Sequence, residues 1–397
     1  MANFKTIDDL DVKGKRVLVR ADINVPMKDG VVTDTTRIDR SAQTIKELIA
    51  RGAKVIIVTH FGRPKGQRVP EMSLKPLVAP LSKALGVNVA WADDCIGDVA
   101  SLVVNGLTNG QVALLENLRY HAQEEKNDPA FAAQLAKLAD LYVNDAFSAA
   151  HRAHASTEGV AHLLPCAAGR LMQQELEALG KALENPQKPV AAVVGGAKVS
   201  SKLELLGNMI KKVDMVIIGG GMANTFLYAQ GKDVGKSLCE KDMADTARDI
   251  MAAASTYNCE IVLPVDLVVA GEFAANAPNQ TVSVDKVPSD KMALDCGPES
   301  AKLVIAKLAK CKTLVWNGPF GAFEIKPFDA TTNAVAQAAA KLTREGKLLT
   351  VAGGGDTVSA LANAGAQGDF TYISTAGGAF LEWLEGKDLP GVAALKS

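Results

Sequence analysis

The chain has 397 residues, 48% of them hydrophobic and 22% charged, with a formal net charge of −1. That size and balance predict roughly two or three domains with ordinary buried cores. The near-neutral charge argues against a general nucleic-acid or membrane-surface role, and no apolar run reaches the length of a membrane span. The first residues hold no apolar stretch of the kind a signal peptide needs, so none is expected. Six scattered cysteines (95, 166, 239, 259, 296, 311), with no C-x-x-C pair, read as reduced thiols of a cytosolic protein and not as a disulfide framework or a zinc site.

In chain order, residues 16–21 form a first strand that ends in Asp22-Ile23-Asn24-Val25-Pro26. Residues 35–50 read as a helix with Arg37 near its start. Residues 54–59 form a second strand, ending in His60-Phe61-Gly62-Arg63-Pro64. A helix is predicted over 74–85, a strand over 112–115 ending in Glu116-Asn117-Leu118-Arg119, a helix over 129–139 and a strand over 141–144. Strands alternating with helices predict a parallel, doubly wound α/β sheet. Arg37, His60, Arg63, Arg119 and Arg152 sit in loops or element ends after strands, where ligands of open α/β sheets bind. Guanidinium groups clustered there imply a ligand with several negative charges, although for any one of them taken alone a solvated surface charge is the favoured reading.

Residues 169–183 read as a long amphipathic helix, closed by Pro186 and Pro189, and so as a connector and hinge between two α/β halves. The second half repeats one scheme, an apolar strand running into glycines. It recurs at Gly195-Gly196-Ala197-Lys198, Gly219-Gly220-Gly221, Asn317-Gly318-Pro319, Gly353-Gly354-Gly355-Asp356-Thr357 and Gly377-Gly378. Five such ends on one sheet suggest a nucleotide bed. At residues 348–357 a buried strand, a tight turn and a helix start offer free N–H groups and a positive dipole end, suited to phosphate. Asp356 could hold Mg²⁺ beside it, or could merely cap the turn together with Thr357. Two motifs are excluded. Gly231 to Ser237 looks like a phosphate-binding P-loop, but Gln230 stands where its first glycine is required and the segment follows a helical pattern. The dinucleotide fingerprint also fails, with Asn224 and Val358 in place of its third glycine.

Taken with Ala150-His151-Arg152-Ala153-His154-Ala155-Ser156 and Arg20-Ala21-Asp22, these stretches, in this order and over nearly the whole chain, resemble phosphoglycerate kinase, in its compact bacterial form. The resemblance implies two Rossmann-like doubly wound lobes joined by a helix with a cleft between them: residues 1–168 (with 380–397 returning) for 3-phosphoglycerate or 1,3-bisphosphoglycerate, 169–185 as connector, and 186–379 for ADP or ATP with Mg²⁺. It assigns Asp22, Ile23, Asn24, Arg37, His60, Phe61, Gly62, Arg63, Arg119 and Arg152 to the acid substrate. It assigns Gly196, Ala197, Lys202, Gly220, Asn317, Pro319, Glu324, Gly353, Gly354, Gly355, Asp356 and Thr357 to the nucleotide, and Asp356 to Mg²⁺. Arg37, Lys198, Gly355 and Gly378 fall on the transferring phosphoryl. Two departures stand out: Ser148-Ala149 where Gly-Thr is frequent, and Ala376 where a glycine is frequent.

An acyl phosphate and ADP already hold the reactive groups, so the resemblance implies direct in-line transfer on lobe closure, with no phosphoenzyme. A cytoplasmic monomer acting on small molecules, with no nucleic-acid or membrane partner, is expected. The alternatives are a nicotinamide dehydrogenase, against which the missing fingerprint counts, and a non-catalytic two-lobed anion-binding protein, which would not need Lys198 and Asp356.

Overall fold

The computed structural model describes residues 4–396, which divide into two compact units. Residues 4–177 and 388–396 form one, and Ala178–Lys387 the other.

In the first unit the strands are β1 (Arg16–Arg20), the short hairpin β2 (Met27–Lys28) and β3 (Val31–Val32), β4 (Lys54–Val58), β5 (Val89–Ala92), β6 (Val112–Leu115), β7 (Leu141–Asn144) and β8 (Cys166–Ala168). Six of them make a parallel sheet in the order β5-β6-β4-β1-β7-β8. Helices cover both faces, so residues 17–19 of β1, residues 55–58 of β4 and all of β6 are continuous apolar runs and not alternating ones. The helix Thr36–Ala50 buries Ile38, Ala42, Ile45 and Leu48 on one face and leaves Arg37 on the other. The chain winds to one side of β1 through β4, β5 and β6, then returns to its other side at β7. The order therefore reverses between β1 and β7, the point beyond whose carboxyl ends open α/β sheets bind ligands.

The connector is anchored to this unit at its start. Asp145, just past β7, accepts from the N–H groups of Leu171 and Met172 at 2.9 and 3.3 Å, and Arg170 pairs with Asp8 and Glu47 at 2.7 and 2.8 Å. The α-helix runs over Arg170–Leu179 and passes into a π-helical turn over Gly180–Glu184. The division between units falls inside it, after Glu177. The second crossing falls after Lys387, so the helix Gly378–Leu384 lies in the second unit and the chain returns only at Asp388. There the Gly391 N–H donates to Ala150 O at 2.9 Å, and Leu395 is fully buried.

The second unit holds β9 (Val190–Val194), β10 (Met215–Ile218), β11 (Glu260–Val262), β12 (Asp266–Ala270), β13 (Asn279–Ser283), β14 (Met292–Cys296), β15 (Thr313–Asn317), β16 (Leu349–Gly353) and β17 (Tyr372–Ser374). Its parallel sheet runs β11-β10-β9-β15-β16-β17. Renumbered within the sheet this is the 3-2-1-4-5-6 order, which reverses between β9 and β15. A separate antiparallel sheet, β13-β12-β14, packs through Leu267 and Val269 on Leu227, Val234, Val284 and Val287.

The expected helix over 74–85 is two pieces, a 3-10 turn Lys75–Leu77 and an α-helix Val78–Leu85. A continuous helix would need an N–H at residue 80, and Pro80 has none. All six cysteines are free thiols. Among the described residues no helix is long and apolar enough to cross a membrane.

Candidate active site

The loops after β1, β4, β6 and β7 bring the expected anion-binding residues of the first unit to one end of its sheet. Asp22 follows β1, and its carboxylate accepts from Arg37 Nη1 at 3.0 Å and from Ser148 Oγ at 2.6 Å. Ser148 comes from the loop after β7, so this last bond spans the point where the strand order reverses. Asn24 is half-buried, whereas Ile23 is fully buried in the core and offers a ligand only its main chain.

The turn after β4 is fastened by the turn after β6. Asn117 donates to Phe61 O at 2.8 Å and Met72 O at 2.9 Å, and accepts from the Phe61 N–H at 3.2 Å. Glu116 accepts from Ser73 Oγ and from the N–H groups of Leu74 and Asn117. Phe61 packs against the core. Gly62 takes φ +60°, and its carbonyl accepts from Arg119 Nη1 at 3.0 Å. Arg119 retains a buried Nε with no hydrogen-bond partner, and its nearest acid, Glu125, is 4.0 Å away. Arg63 and Arg152 are exposed, and neither guanidinium hydrogen-bonds or ion-pairs with another described residue. These are free cations held by ordered backbone, as an anionic ligand requires.

Behind them lies a polar network that the sequence reading did not single out. Arg20, the last residue of β1, is 1% exposed. It donates from Nε to Ser156 Oγ at 2.9 Å, from Nη1 to Ala21 O at 2.8 Å and from Nη2 to His60 Nδ1 at 2.9 Å. Buried Glu124 accepts from the Ser156 N–H at 2.9 Å and faces the Arg20 charge. Burial, then Arg20, Arg119, His154 and Arg37, hold the His60 pKa well below its usual 6.5. His154 is pushed down to about 4 by burial and then by Arg119 and Arg20. Both imidazoles are therefore neutral, and His60 contributes a polar group to the set and not a charge. The signal for Arg20 was present in the sequence, an arginine directly after the apolar run Val17-Leu18-Val19.

In the second unit the glycine loops lie side by side at the ends of β9, β10, β15 and β16, and most of the glycines serve one another. A Cβ on Gly195 would sit 2.0 Å from Pro319 O, one on Gly318 2.2 Å from Gly195 O, and one on Gly220 2.6 Å from Gly196 O. One on Gly353 would strike the Phe380 ring at 2.5 Å. Gly355 differs. Nothing lies within 4 Å of its Cβ position, and it opens the helix Gly355–Asn363, whose first N–H groups have no partner within the helix. Gly378 opens the short helix Gly378–Leu384.

Asn317 is buried and occupied. Its Nδ2 donates to Gly353 O at 2.8 Å, and its Oδ1 accepts from Lys202 Nζ. Thr357 is also buried, and its hydroxyl accepts from the Gly318 N–H at 2.7 Å while keeping its own proton to donate. These two side chains lock the bed. Burial lowers the Lys202 pKa, opposed by Asp356 and Glu385. Lys198 is exposed, and its ammonium makes no hydrogen bond or ion pair to a described residue.

A cavity of about 540 Å³ opens beside this bed. Gly196, Ala197, Gly220, Pro319, Glu324 and Asp356 line one side, and Leu238, Phe273, Met292 and Leu294 form an apolar wall. The wall comes largely from the antiparallel sheet, which the sequence reading did not anticipate. Asp356 is exposed in the first helical turn and has no hydrogen bond or ion pair to another described residue. One open carboxylate beside a phosphate-sized space fits Mg²⁺, which takes one or two carboxylates with phosphate oxygens. A second group of metal-type donors, Asp94, Cys95 and His121, is internally satisfied: His121 and Asp94 bond each other at 2.7 Å, and burial holds the Cys95 thiol protonated.

The family model for phosphoglycerate kinase matches residues 7–387. The phosphoglycerate kinase of Rhodospirillum centenum is 63% identical over 392 residues, covering 99% of each chain. That of Methylobacterium radiotolerans is 63% identical over 398 residues, covering 100% of each. The solved phosphoglycerate kinase of Coxiella burnetii superposes with a TM-score of 0.93 at 44% identity over 99% of each chain. That of Pyrococcus horikoshii OT3 superposes at 0.79, with 32% identity over 98% of each. With a two-sheet α/β fold and relatives matched from end to end at this identity, the chain belongs to the phosphoglycerate kinase family.

Proposed function

We propose that the first unit binds the three-carbon acid, 3-phosphoglycerate or 1,3-bisphosphoglycerate, and the second binds Mg-ADP or Mg-ATP. The observation that carries this is chemical. Each sheet reverses its order once, and the two reversals are furnished differently: the first with unpaired guanidinium groups, the second with glycine loops, two lysines and one open carboxylate.

The activity is phosphoryl transfer. In the ADP-phosphorylating direction the acyl C–O–P linkage loses its P–O bond, and a β-phosphate oxygen of ADP forms the new one. The carboxylate of 3-phosphoglycerate leaves with the electron pair. The reactants supply both nucleophile and leaving group, so no side chain needs to become phosphorylated. The protein's part is to position the reactants and to place positive charge near the three equatorial oxygens. Arg63, Arg119 and Arg152 hold the acid's phosphate. Asp22 and Asn24 orient its hydroxyl and carboxylate end. Lys202 and the N–H groups at Gly355 hold the nucleotide phosphates. Arg37 and Lys198 supply charge to the group in transit, with Gly378 as a further N–H donor. Bound at Asp356, Mg²⁺ would neutralise part of the polyphosphate charge.

The deciding experiment is a coupled assay of ATP formation from 1,3-bisphosphoglycerate, ADP and Mg²⁺. Incubation with labelled ATP and Mg²⁺ but no 3-phosphoglycerate should leave no stable label on the protein, and a stoichiometric phosphoenzyme would overturn direct transfer. The reading extends to a cytoplasmic location, with which six free thiols agree, and to a monomer. Light scattering at assay concentration tests the monomer.

A further inference from the structure

We propose that Arg20 is a positioning residue for the acid-binding site: by donating to Nδ1 of His60 it holds that imidazole as the Nε2–H tautomer, so that His60 meets an anionic ligand as an uncharged donor. The inference rests on the acid-binding reading for its functional half, and on the free protein alone for its structural half.

A guanidinium has five N–H donors and no acceptor, so the 2.9 Å contact between Arg20 Nη2 and His60 Nδ1 has one polarity. Nδ1 must present its lone pair. A neutral imidazole then carries its proton on Nε2. Arg20 cannot turn away, because Ser156 Oγ and Ala21 O take its other bonds and its side chain is sealed in the core. Glu124, buried behind Ser156, faces the arginine charge and accepts from the Ser156 N–H, so that donation runs outward from Arg20, to Ser156 on one side and to His60 on the other. Charged and titratable groups facing His60 are Arg20, Arg119, Arg37 and His154, and all of them disfavour an imidazolium. His60 itself is half-buried, set in the loop after β4 among the guanidinium groups of the site. A fourth full charge there would repel Arg119, whereas a neutral N–H adds a directed bond without that cost.

The test begins with nitrogen-15 NMR of histidine-labelled protein without ligand. His60 should show the Nε2–H signature with no protonation step in the range around 6.5 where a free imidazole titrates. A Nδ1–H signature, or an imidazolium at neutral pH, would overturn the proposal. In Arg20→Met the His60 resonances should shift to a mixture of tautomers with a titration entering that range; unchanged resonances would remove Arg20 from the role. If Arg20→Met does not fold, a pair of variants at the half-buried site carries the test. A glutamine amide nitrogen overlays Nε2 and an asparagine one overlays Nδ1. His60→Gln should keep most of the 3-phosphoglycerate affinity, and His60→Asn should lose roughly five- to tenfold, the worth of one neutral hydrogen bond. Equal loss in both would overturn the proposal. Failure of the wild-type protein to bind 3-phosphoglycerate would instead sink the acid-binding reading, leaving the tautomer to be decided by NMR.

Discussion

Ser148 Oγ donates to Asp22 Oδ2 at 2.6 Å, while Arg37 takes the other oxygen of the same carboxylate at 3.0 Å. Asp22 is thereby held from two sides, from the loop after β7 and from the first turn of the helix Thr36–Ala50. The serine is one of the positions where this chain departs from the common family pattern. Its hydroxyl does what a glycine there could not, fixing the rotamer of a residue expected to meet the substrate. Ser148→Ala should raise the KM for 3-phosphoglycerate several-fold, a fraction of the about 1.5–3 kcal/mol that a hydrogen bond to a charged acceptor is worth, because Arg37 still holds the carboxylate. The KM for ATP should not move. Steady-state kinetics with each substrate varied in turn would check this, and an unchanged KM for the acid would show that Arg37 alone holds Asp22.

The free guanidinium groups should be separable from the nucleotide bed. Arg63→Ala or Arg152→Ala should weaken 3-phosphoglycerate binding by about tenfold or more while leaving ADP binding nearly unchanged, because neither side chain supports another described residue. Calorimetric titration with each ligand separately decides it. Parallel loss of both affinities would mean that the division of ligands between the units is wrong.

The strands were legible where a parallel sheet buries both faces. Val112–Leu115 and Val190–Val194 read directly as apolar runs bounded by breakers, and their burial is complete. The antiparallel sheet was not legible: β13 is exposed at four of its five residues and carries no apolar signature. With it went the apolar wall of the cavity, Phe273, Met292 and Leu294. The glycines were legible as a pattern, but their main cause was not. The pattern suggested close approach of a ligand, whereas Gly195 and Gly318 are required by each other's backbone and Gly220 by that of Gly196. Asn317 and Lys202 show the same limit. The resemblance assigned both to the nucleotide, and only coordinates reveal that these two side chains already bond each other.

Asp145 makes a pH-dependent contribution to stability. Burial raises its pKa from 3.8 to about 7, against the opposing bonds from Thr44, Met172 and Leu171. One carboxylate oxygen serves the Leu171 and Met172 N–H groups, and the other has no hydrogen-bond partner. The unfolded chain releases this proton near 3.8 and the folded chain near 7. Between those values the folded state binds more protons, so stability falls as pH rises through that window and levels above it. Asp145→Asn keeps the accepting oxygen and cannot ionise. Its melting temperature should gain on the wild type progressively up to about pH 7 and then hold a constant offset. Thermal melts across that range check it. A constant loss at every pH would show that the helix start needs the ionised carboxylate.

Lys198 should act on the moving phosphoryl more than on bound nucleotide, and Glu240 should govern where it stands. The loop from Gly195 to Lys202 is tied down by the Glu240 carboxylate, which accepts from the Ser200 N–H at 3.1 Å and Ser200 Oγ at 2.5 Å, with the Val199 N–H as a third donor. Glu240 is itself fixed, its N–H donating to buried Thr225 Oγ1 at 3.0 Å. Lys198 thus projects from a braced turn with its ammonium unengaged by any described hydrogen bond. A lysine that only bound ADP would raise KM when removed and leave kcat alone. One that meets charge as the phosphoryl moves would lower kcat. Lys198→Ala should therefore cut kcat on the order of 10²–10³-fold, by analogy with removing one transition-state donor, with Mg-ADP affinity little changed. Glu240→Ala should lower kcat by up to about a hundredfold, the scale of a small misplacement of a catalytic group. It should also speed hydrogen exchange at the Val199 and Ser200 amides, which removing the Lys198 ammonium should not. Glu240→Gln keeps one accepting oxygen and should restore part of both readouts. Near-normal kcat in Lys198→Ala would remove the lysine from the chemistry. Fast exchange with unchanged kcat in Glu240→Ala would show that the brace is structural alone.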